Sequence, residues 1–249
     1  MNKIYNNMYV GGRWWPVEKT FLDINPSDDS EWARVPDVGV AEVRNAIDSA
    51  HHAFENWSKL PFNQRAHFMT KIAEIFEKRK MDVVKALRTE AGGWFGKSIF
   101  EASYVPEVFC AAAAMNYQSI GEVIPSEFGK LSMAIRRPVG VVSVISPWNF
   151  PAILTSRGIA FALAAGNTVV LKPSEETPYC GGLLFAEIFE EAGVPGGVLN
   201  VVTCSRDNVS VVGEELIEHP LVKGVSFTGS TAVGREIAAR AGAHLKKYC

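Results

Sequence analysis

The sequence predicts an α/β fold built on a parallel sheet with helices on both faces. After Pro138, short apolar runs alternate with longer segments of helical spacing, which is typical of parallel strands joined by helical crossovers. Helix stops at Gly166-Asn167 and from Gly193 to Gly196 each precede the next apolar run. An amino-terminal helical segment and a protruding β-hairpin are predicted to precede the sheet.

Residues 1–120 are predicted to form an arm followed by helices that serve as scaffold. Trp, Pro and Asp are frequent from Gly11 to Pro36, where short extended stretches such as Thr20–Ile24 also occur, and this composition favours an irregular arm on the domain surface. Apolar residues then recur at helical spacing. The predicted helices are Val40–Trp57, a longer helix opened by Pro61 and ended by Gly92-Gly93, and Ser98–Tyr117.

Residues 121–138 predict a β-hairpin. Two extended pieces, Val123–Pro125 and Leu131–Ile135, flank a turn at Phe128-Gly129-Lys130. Because an isolated hairpin is marginally stable in water, we expect this one to need another surface to lie on.

Residues 139–249 are predicted to form an α/β domain with a Rossmann-like parallel sheet. Its strands are predicted at 139–146, 167–171, 198–203 and 223–227, and its helices at 151–165, 179–192, 208–217 and 231–241. We expect the sheet to end at strand 223–227 and to leave an edge to which another strand would add.

Composition narrows the class of protein. The 249 residues are 47% hydrophobic and 21% charged, which suits a folded domain with a real core. A net charge of −2 argues against a nucleic-acid surface. The apolar windows Val139–Ile145 and Ile159–Ala165 are far shorter than the roughly 20 residues of a membrane span, so no membrane partner is expected. Met1–Asn7 lacks the apolar stretch of a signal peptide, and we expect a cytoplasmic protein.

The cysteines and histidines do not predict a metal site. Four cysteines lie far apart with no Cys-x-x-Cys pair, and none of the five histidines stands at ligand spacing from them. This pattern disfavours both zinc binding and a disulfide framework. The cysteines are Cys110, Cys180, Cys204 and Cys249.

The first candidate loop reads Ser146-Pro147-Trp148-Asn149-Phe150-Pro151 and follows the apolar run 139–145. Its two prolines force an ordered turn. The turn presents the side-chain amide of Asn149 at the carboxyl end of a buried strand, where ligands of open α/β sheets bind. The alternative is structural, since Asn before Phe-Pro is also a good turn former.

The second and third candidate loops follow later strands. Lys172-Pro173-Ser174-Glu175 closes the second strand of the sheet, where dinucleotide folds place an acidic residue on the ribose. Phe227-Thr228-Gly229-Ser230-Thr231 opens a helix whose free amides would suit a phosphate. A solvated Lys and Glu, and an ordinary capped helix, are the structural alternatives. Gly229–Gly234 has the outer spacing of a P-loop, but Arg235 and Glu236 replace its Lys and Ser/Thr, which disfavours a kinase or ATPase.

These three loops, in this order, resemble the cofactor-binding half of the aldehyde dehydrogenase superfamily. The resemblance runs from Tyr9-Val10-Gly11-Gly12 to Lys247. It implies oxidation of an aldehyde to a carboxylic acid with NAD, and a homo-oligomer whose subunits associate partly through the hairpin. A related reductase of acyl phosphates or acyl-CoA would share the architecture, but the first two loops fit the aldehyde-oxidising branch better.

The resemblance also assigns roles to residues. It makes Asn149 the donor to the oxyanion formed when a thiolate attacks the aldehyde, and it places Gly229 and Ser230 at the pyrophosphate and Thr228 near the nicotinamide. Lys172 and Glu175 would hold the adenosine ribose, and a carboxylate at 175 would repel a 2′-phosphate, so NAD is expected rather than NADP. The remaining cofactor-binding residues implied are Ser146, Pro147, Trp148, Ser174, Thr231 and Gly234.

The end of the chain carries a further expectation. In the family, Leu-Lys-Lys precedes the segment with the general base, and the nucleophilic cysteine lies beyond it in a catalytic domain. Here Leu245-Lys246-Lys247 is followed only by Tyr248 and Cys249. We therefore expect an amino-terminal half without the catalytic domain, inactive alone. The alternative is a non-catalytic nucleotide-binding subunit or remnant that ends at Cys249.

Two further features bear on chemistry. Cys204, just past the third strand, has no neighbouring His, and we do not expect it to be the nucleophile. Sequence details resemble enzymes acting on benzaldehyde- or vanillin-like substrates. Trp94, Phe95, Phe109 and Tyr117 would supply an aromatic wall for such a substrate, and core packing explains them equally well.

Overall fold

The structure is a computed structural model that describes residues 3–4 and 6–249, with only the backbone for 3–4. The strands are β1 Lys3–Ile4, β2 Asn7–Val10, β3 Arg13–Pro16, β4 Thr20–Asn25, β5 Ser30–Pro36, β6 Gly121–Ile124, β7 Ser132–Ile135, β8 Val141–Ile145, β9 Thr168–Lys172, β10 Leu199–Val201, β11 Val222–Phe227 and β12 Lys247–Tyr248. The helices are α1 Val40–Trp57, α2 Phe62–Lys78, α3 Lys80–Thr89, α4 Phe95–Met115, α5 Pro151–Ala164, α6 Leu184–Glu191, α7 Val209–Glu218 and α8 Thr231–Ala243, and a π-helical segment, Tyr179–Leu183, leads into α6.

The main sheet confirms the predicted α/β class. Its seven strands run in the order β12-β11-β8-β9-β10-β2-β3. The first five are parallel, and β2 and β3 add antiparallel at one edge. The chain moves outward from β8 through β9 to β10 and then returns to the other side of β8 with β11. Such a reversal of strand order creates a crevice outside the carboxyl ends of the strands.

Two apolar cores cover the two faces of this sheet. Successive strand residues point to opposite faces, so Val142 and Val144 join the core beneath α2 to α6, whereas Val141 joins the core beneath α1, α7 and α8. In β9, Val170 faces the second core and its neighbours face the first. The prediction of helices on both faces is therefore confirmed.

The expectation that the sheet ends at 223–227 is wrong. β12 adds in parallel to β11, and backbone bonds tie the two, because the Cys249 amide donates to Val225 O and the Phe227 amide donates to Cys249 O. The Tyr248 hydroxyl also donates to Gly234 O at 3.1 Å. A strand of two residues, one of them a lysine, carries no apolar run from which it could have been predicted.

The predicted arm is only partly irregular: the extended stretch predicted at Thr20–Ile24 lies in β4, whereas β3 and β5 were not predicted. β3 pairs with β2 at the edge of the main sheet, and β4 and β5 pair in a separate three-stranded sheet with β1. Gly11 and Gly12 have φ of 65° and 76° in the turn between β2 and β3, a conformation that glycine adopts without strain. Gly-Gly between two short extended runs is a hairpin signal, so the hairpin of β2 and β3 could have been predicted from the sequence.

The first amino-terminal helix, α1, has the predicted bounds, and the later ones differ from the prediction. The long helix predicted from Pro61 is divided into α2 and α3 at Arg79, whose φ and ψ of −94° and 14° leave the helical region. The hairpin of β6 and β7 forms as predicted. No helix within the described ranges is long and apolar enough to cross a membrane. The domain boundaries at 120 and 138 stay predictions.

Candidate functional site

Strand register brings the three predicted loops to one edge of the sheet. Ile145, the last residue of β8, pairs with Lys172 of β9 and with Phe227 of β11. The backbone bonds continue past the strand ends, because the Ser146 amide donates to Lys172 O at 3.2 Å and the Thr228 amide donates to Ile145 O at 3.1 Å. Loops that are distant in sequence therefore begin side by side at the point where strand order reverses.

The first loop leaves Asn149 open to solvent. Trp148 and Asn149 are exposed, Pro147 is half-buried, and the Asn149 side chain makes no hydrogen bond to any residue that the structure describes. An amide that no protein group uses is available to a ligand. Ser146 is different: its side chain is buried, and its Oγ accepts a bond from Thr155 Oγ1 at 2.7 Å. The hydroxyl of Ser146 thus anchors the loop to α5.

The second loop holds a buried cation against a carboxylate. Lys172 is 4% exposed, and its Nζ lies 3.6 Å from Glu175 Oε2. Lys172 Nζ also donates to Pro173 O at 3.2 Å. The Ser174 hydroxyl accepts the Glu176 amide at 3.3 Å, which fixes the turn. Glu175 is partly exposed, so it can accept bonds from a ligand while Lys172 holds it in place.

A cleft of about 460 Å³ opens beside this pair, between α7 and α8. Ile145, Lys172 and Glu175 form its floor. Its walls include the apolar side chains of Val209, Ile217, Phe227, Val233 and Ile237 and the charged side chains of Arg206, Glu214, Glu236 and Arg240. The apolar surface suits a flat ring, and the polar groups suit a hydroxylated sugar attached to it.

The third loop opens α8. Ser230 is the residue that caps this helix, and its Oγ accepts the Val233 amide at 3.4 Å. A side chain at Gly229 would have its Cβ 2.4 Å from the Phe227 ring, so glycine permits this tight turn. Thr228, Gly229, Ser230 and Thr231 are exposed, and Gly234 lies one turn into the helix. A solvated helix start of this kind presents amides and a positive end to an anion.

The buried cysteines are poor nucleophiles. Burial raises the pKa of Cys204 to about 11, although Lys172 partly opposes the effect. Burial, followed by the charge of Glu90, raises the pKa of Cys180 as well. Because the thiolate is the reactive form, neither side chain is activated. Within the described residues, no group of three His, Cys, Asp or Glu side chains is placed to hold a metal ion.

The predicted aromatic wall is not a single surface. Phe109 is fully buried and packs on Phe76 and Phe189, with ring centroids 5.7 and 5.9 Å away. Of the two explanations given for Phe109, core packing is confirmed, because its position on α4 faces the core. Trp94, Phe95 and Tyr117 are exposed.

Sequence reasoning missed two buried carboxylates beside the site. Glu101 Oε1 accepts the amides of Ala152 and Ile153 at 2.8 and 3.2 Å. Glu90 accepts the amides of Tyr179 and Cys180, both at 2.6 Å. A signal existed for Glu101, because it falls on the apolar face of α4 together with Val105 and Phe109. A charged residue on an apolar face needs a buried partner.

The sequence is similar to known proteins along nearly its whole length. A sequence model of the aldehyde dehydrogenase family matches residues 14–249. The chain is 37% identical over 243 residues to mitochondrial succinate-semialdehyde dehydrogenase of Rattus norvegicus. These residues make up 96% of this chain and 46% of the relative. It is 41% identical over 227 residues to vanillin dehydrogenase of an Amycolatopsis species, covering 90% of this chain and 45% of the relative.

A solved structure shows the same backbone. The NAD-dependent benzaldehyde dehydrogenase of Corynebacterium glutamicum superposes with a TM-score of 0.92 at 36% identity, over 98% of this chain and 52% of that one. The chain thus spans about half the length of the curated relatives it matches.

Proposed function

This chain belongs to the aldehyde dehydrogenase family, and we propose that it binds NAD and supplies an oxyanion donor for the oxidation of an aldehyde to a carboxylic acid. The observation that carries the proposal is the register that sets Ile145 between Lys172 and Phe227. That register brings the exposed Asn149, the Lys172–Glu175 pair and the open start of α8 to one edge of the sheet.

The cofactor's adenosine fits the cleft between α7 and α8. Its ring would lie between the apolar walls, and its ribose hydroxyls would face Glu175 and Lys172. A carboxylate at this position repels a 2′-phosphate, which supports NAD over NADP. The pyrophosphate would sit at the start of α8, on Gly229 and Ser230.

The remaining loop residues line the path toward the nicotinamide. Pro147, Trp148 and Thr228 follow the ends of β8 and β11, whereas Ser174 lies in the second loop and Thr231 and Gly234 lie at the start of α8. When bound, NAD accepts the hydride. Ser146 contributes through the position of its backbone, because its hydroxyl is buried against Thr155.

Asn149 would act on the substrate rather than on the cofactor. Attack of a thiolate on an aldehyde carbonyl gives a tetrahedral oxyanion, and a donor fixed in advance lowers the free energy of the transition state. The Asn149 amide is exposed and uncommitted at a strand end that holds two other loops in place. This combination suits a donor better than a turn-forming residue.

We expect residues 1–249 alone to bind cofactor without oxidising aldehydes, because burial raises the pKa of Cys180 and of Cys204 and so disfavours the reactive thiolate form of each. The measurement is NADH production by the purified chain with benzaldehyde or vanillin. Robust production that disappears in Cys204→Ser would contradict this expectation.

Oxidation itself is tested in the complete enzyme, by which we mean this chain joined to a carboxyl-terminal half of the family type. Replacing Asn149 with Ala should lower kcat on the order of 10²- to 10³-fold, the usual effect of losing one oxyanion donor. NAD affinity should change far less. An unaltered kcat with a lowered melting temperature would show that Asn149 only forms the turn.

Substrate class and assembly extend the proposal. The 41% identity to a vanillin dehydrogenase supports an aromatic aldehyde as substrate. The exposed hairpin of β6 and β7 supports a homo-oligomer, since Phe128 and Leu131 are fully or largely exposed there. The cytoplasm is the compartment that the composition and the free cysteines favour.

A further inference from the structure

The first turn of α5 lacks a local cap. Phe150, the residue that precedes the helix, has no side chain that can accept a hydrogen bond. Pro151 has no amide hydrogen, and the Leu154 amide donates to Phe150 O at 2.9 Å. Two amide groups, those of Ala152 and Ile153, are therefore left to find an acceptor elsewhere.

Glu101 supplies that acceptor from α4. Its Oε1 accepts both amides, and its side chain is fully buried. Its Oε2 accepts a bond from Lys97 Nζ at 3.1 Å. The carboxylate thus fills the role of a capping side chain, although it lies 51 residues away from Ala152 in sequence.

Lys97 extends the same contact to the loop. Its Nζ lies 4.5 Å from the centroid of the Phe150 ring, a cation–π distance. Phe150 is therefore held by Lys97 on its ring, while Glu101 holds the two amides that follow. We call this arrangement of Lys97, Glu101 and the first turn of α5 the α5 clamp.

We propose that Glu101 is a positioning residue that sets the location of Asn149 through the α5 clamp; the proposal rests on the function assigned to Asn149 above. The Asn149 side chain is exposed and makes no hydrogen bond within the described chain, so the position of its backbone sets the region that the amide can reach. That backbone runs directly into Phe150 and the first turn of α5, which Glu101 and Lys97 hold. A misplacement of about 1 Å at a reacting group can cost on the order of 10²-fold in rate.

The test compares variants of the complete enzyme. Glu101→Ala removes the acceptor and should lower kcat by about 10- to 100-fold while leaving the KM for NAD within a few-fold. Glu101→Gln keeps an oxygen for the two amides and should retain most of kcat. Glu107→Ala, an exposed acid on the same helix, is the matched control and should leave kcat unchanged.

Two more variants separate positioning from stability. Phe189→Leu trims a fully buried side chain of the same core, so it should lower the melting temperature and leave the kcat of folded enzyme unchanged. Lys97→Met removes the charge and keeps the aliphatic stem, so it should lower kcat several-fold. This variant tests the α5 clamp independently if Glu101→Ala fails to fold. In the isolated chain, hydrogen exchange at Ala152 and Ile153 should accelerate in Glu101→Ala and not in Glu107→Ala.

The outcomes are distinct. If kcat falls by the expected 10²- to 10³-fold in Asn149→Ala but is normal in Glu101→Ala and Lys97→Met, the positioning role is overturned and the proposed function stands. Normal kcat in Asn149→Ala would overturn both. An equal loss in Glu101→Gln and Glu101→Ala, or unchanged exchange at Ala152, would show that the acceptor does not hold the loop.

Discussion

At the scale of single residues, the polar groups that were predictable are those exposed at strand ends. Asn149, Glu175 and Ser230 stand in loops with recognisable residue patterns, and the structure brings their loops together. The buried groups were not predictable, because their partners lie far away in the chain. Glu90, for example, accepts the Cys180 amide across 90 residues. Local sequence carries no information on such a pairing.

Asp23 and Glu90 form a buried acid pair whose charge state depends on pH. Burial, followed by the charge of Glu90 and a hydrogen bond with it, raises the pKa of Asp23 to about 10. Burial also raises the pKa of Glu90, but the amides of Tyr179 and Cys180 stabilise its charge. With a pKa of about 10, Asp23 holds its proton at neutral pH.

This pair predicts how stability changes with pH. A carboxyl whose pKa is higher in the folded state binds more protons when folded. Its contribution to the free energy of unfolding is therefore complete below its unfolded pKa, about 4, and is lost as pH rises toward 10. The free energy of unfolding should fall from pH 5 to pH 9, by at most about 1.4 kcal/mol per pH unit from this group. Asp23→Asn should flatten the slope in urea denaturation, whereas an equally steep slope would contradict the assignment.

At the scale of elements, apolar periodicity predicted the central part of the chain well. The strands β8, β9 and β11 and the helices between them lie close to their predicted positions, because buried parallel strands are apolar throughout. Apolar periodicity did not predict the strands β3 and β12. Edge strands face solvent on one side and need no apolar run, so their composition resembles that of loops.

The hairpin of β6 and β7 predicts self-association. Phe128 is fully exposed, and Leu131 and Val123 are 75% and 64% exposed. Apolar surface of this kind marks an interface. Replacing Phe128 and Leu131 with Ser should reduce association of the chain in sedimentation velocity, whereas Glu122→Ser on the same hairpin should not. A monodisperse monomer of the unmodified chain would contradict the prediction.

In the molecule as a whole, membership of the aldehyde dehydrogenase family coincides with the meeting of three loops at one edge of the sheet. The chain spans 46% of its rat relative, and over that span it places three loops at the reversal of strand order. The fold class and the loops were predictable because each depends on local pattern. Their convergence depends on strand order, which the family resemblance implied and which residue spacing alone does not encode.

Calorimetric titration of the chain measures whether this edge of the sheet binds NAD through Glu175 and Lys172. The unmodified chain should bind NAD more tightly than NADP, by about tenfold or more, because a carboxylate opposes the 2′-phosphate. Glu175→Ser should narrow this gap, and Glu176→Ser, at the exposed neighbouring position, should preserve it. Equal affinities in the unmodified chain, or no binding of either nucleotide, would contradict the proposal.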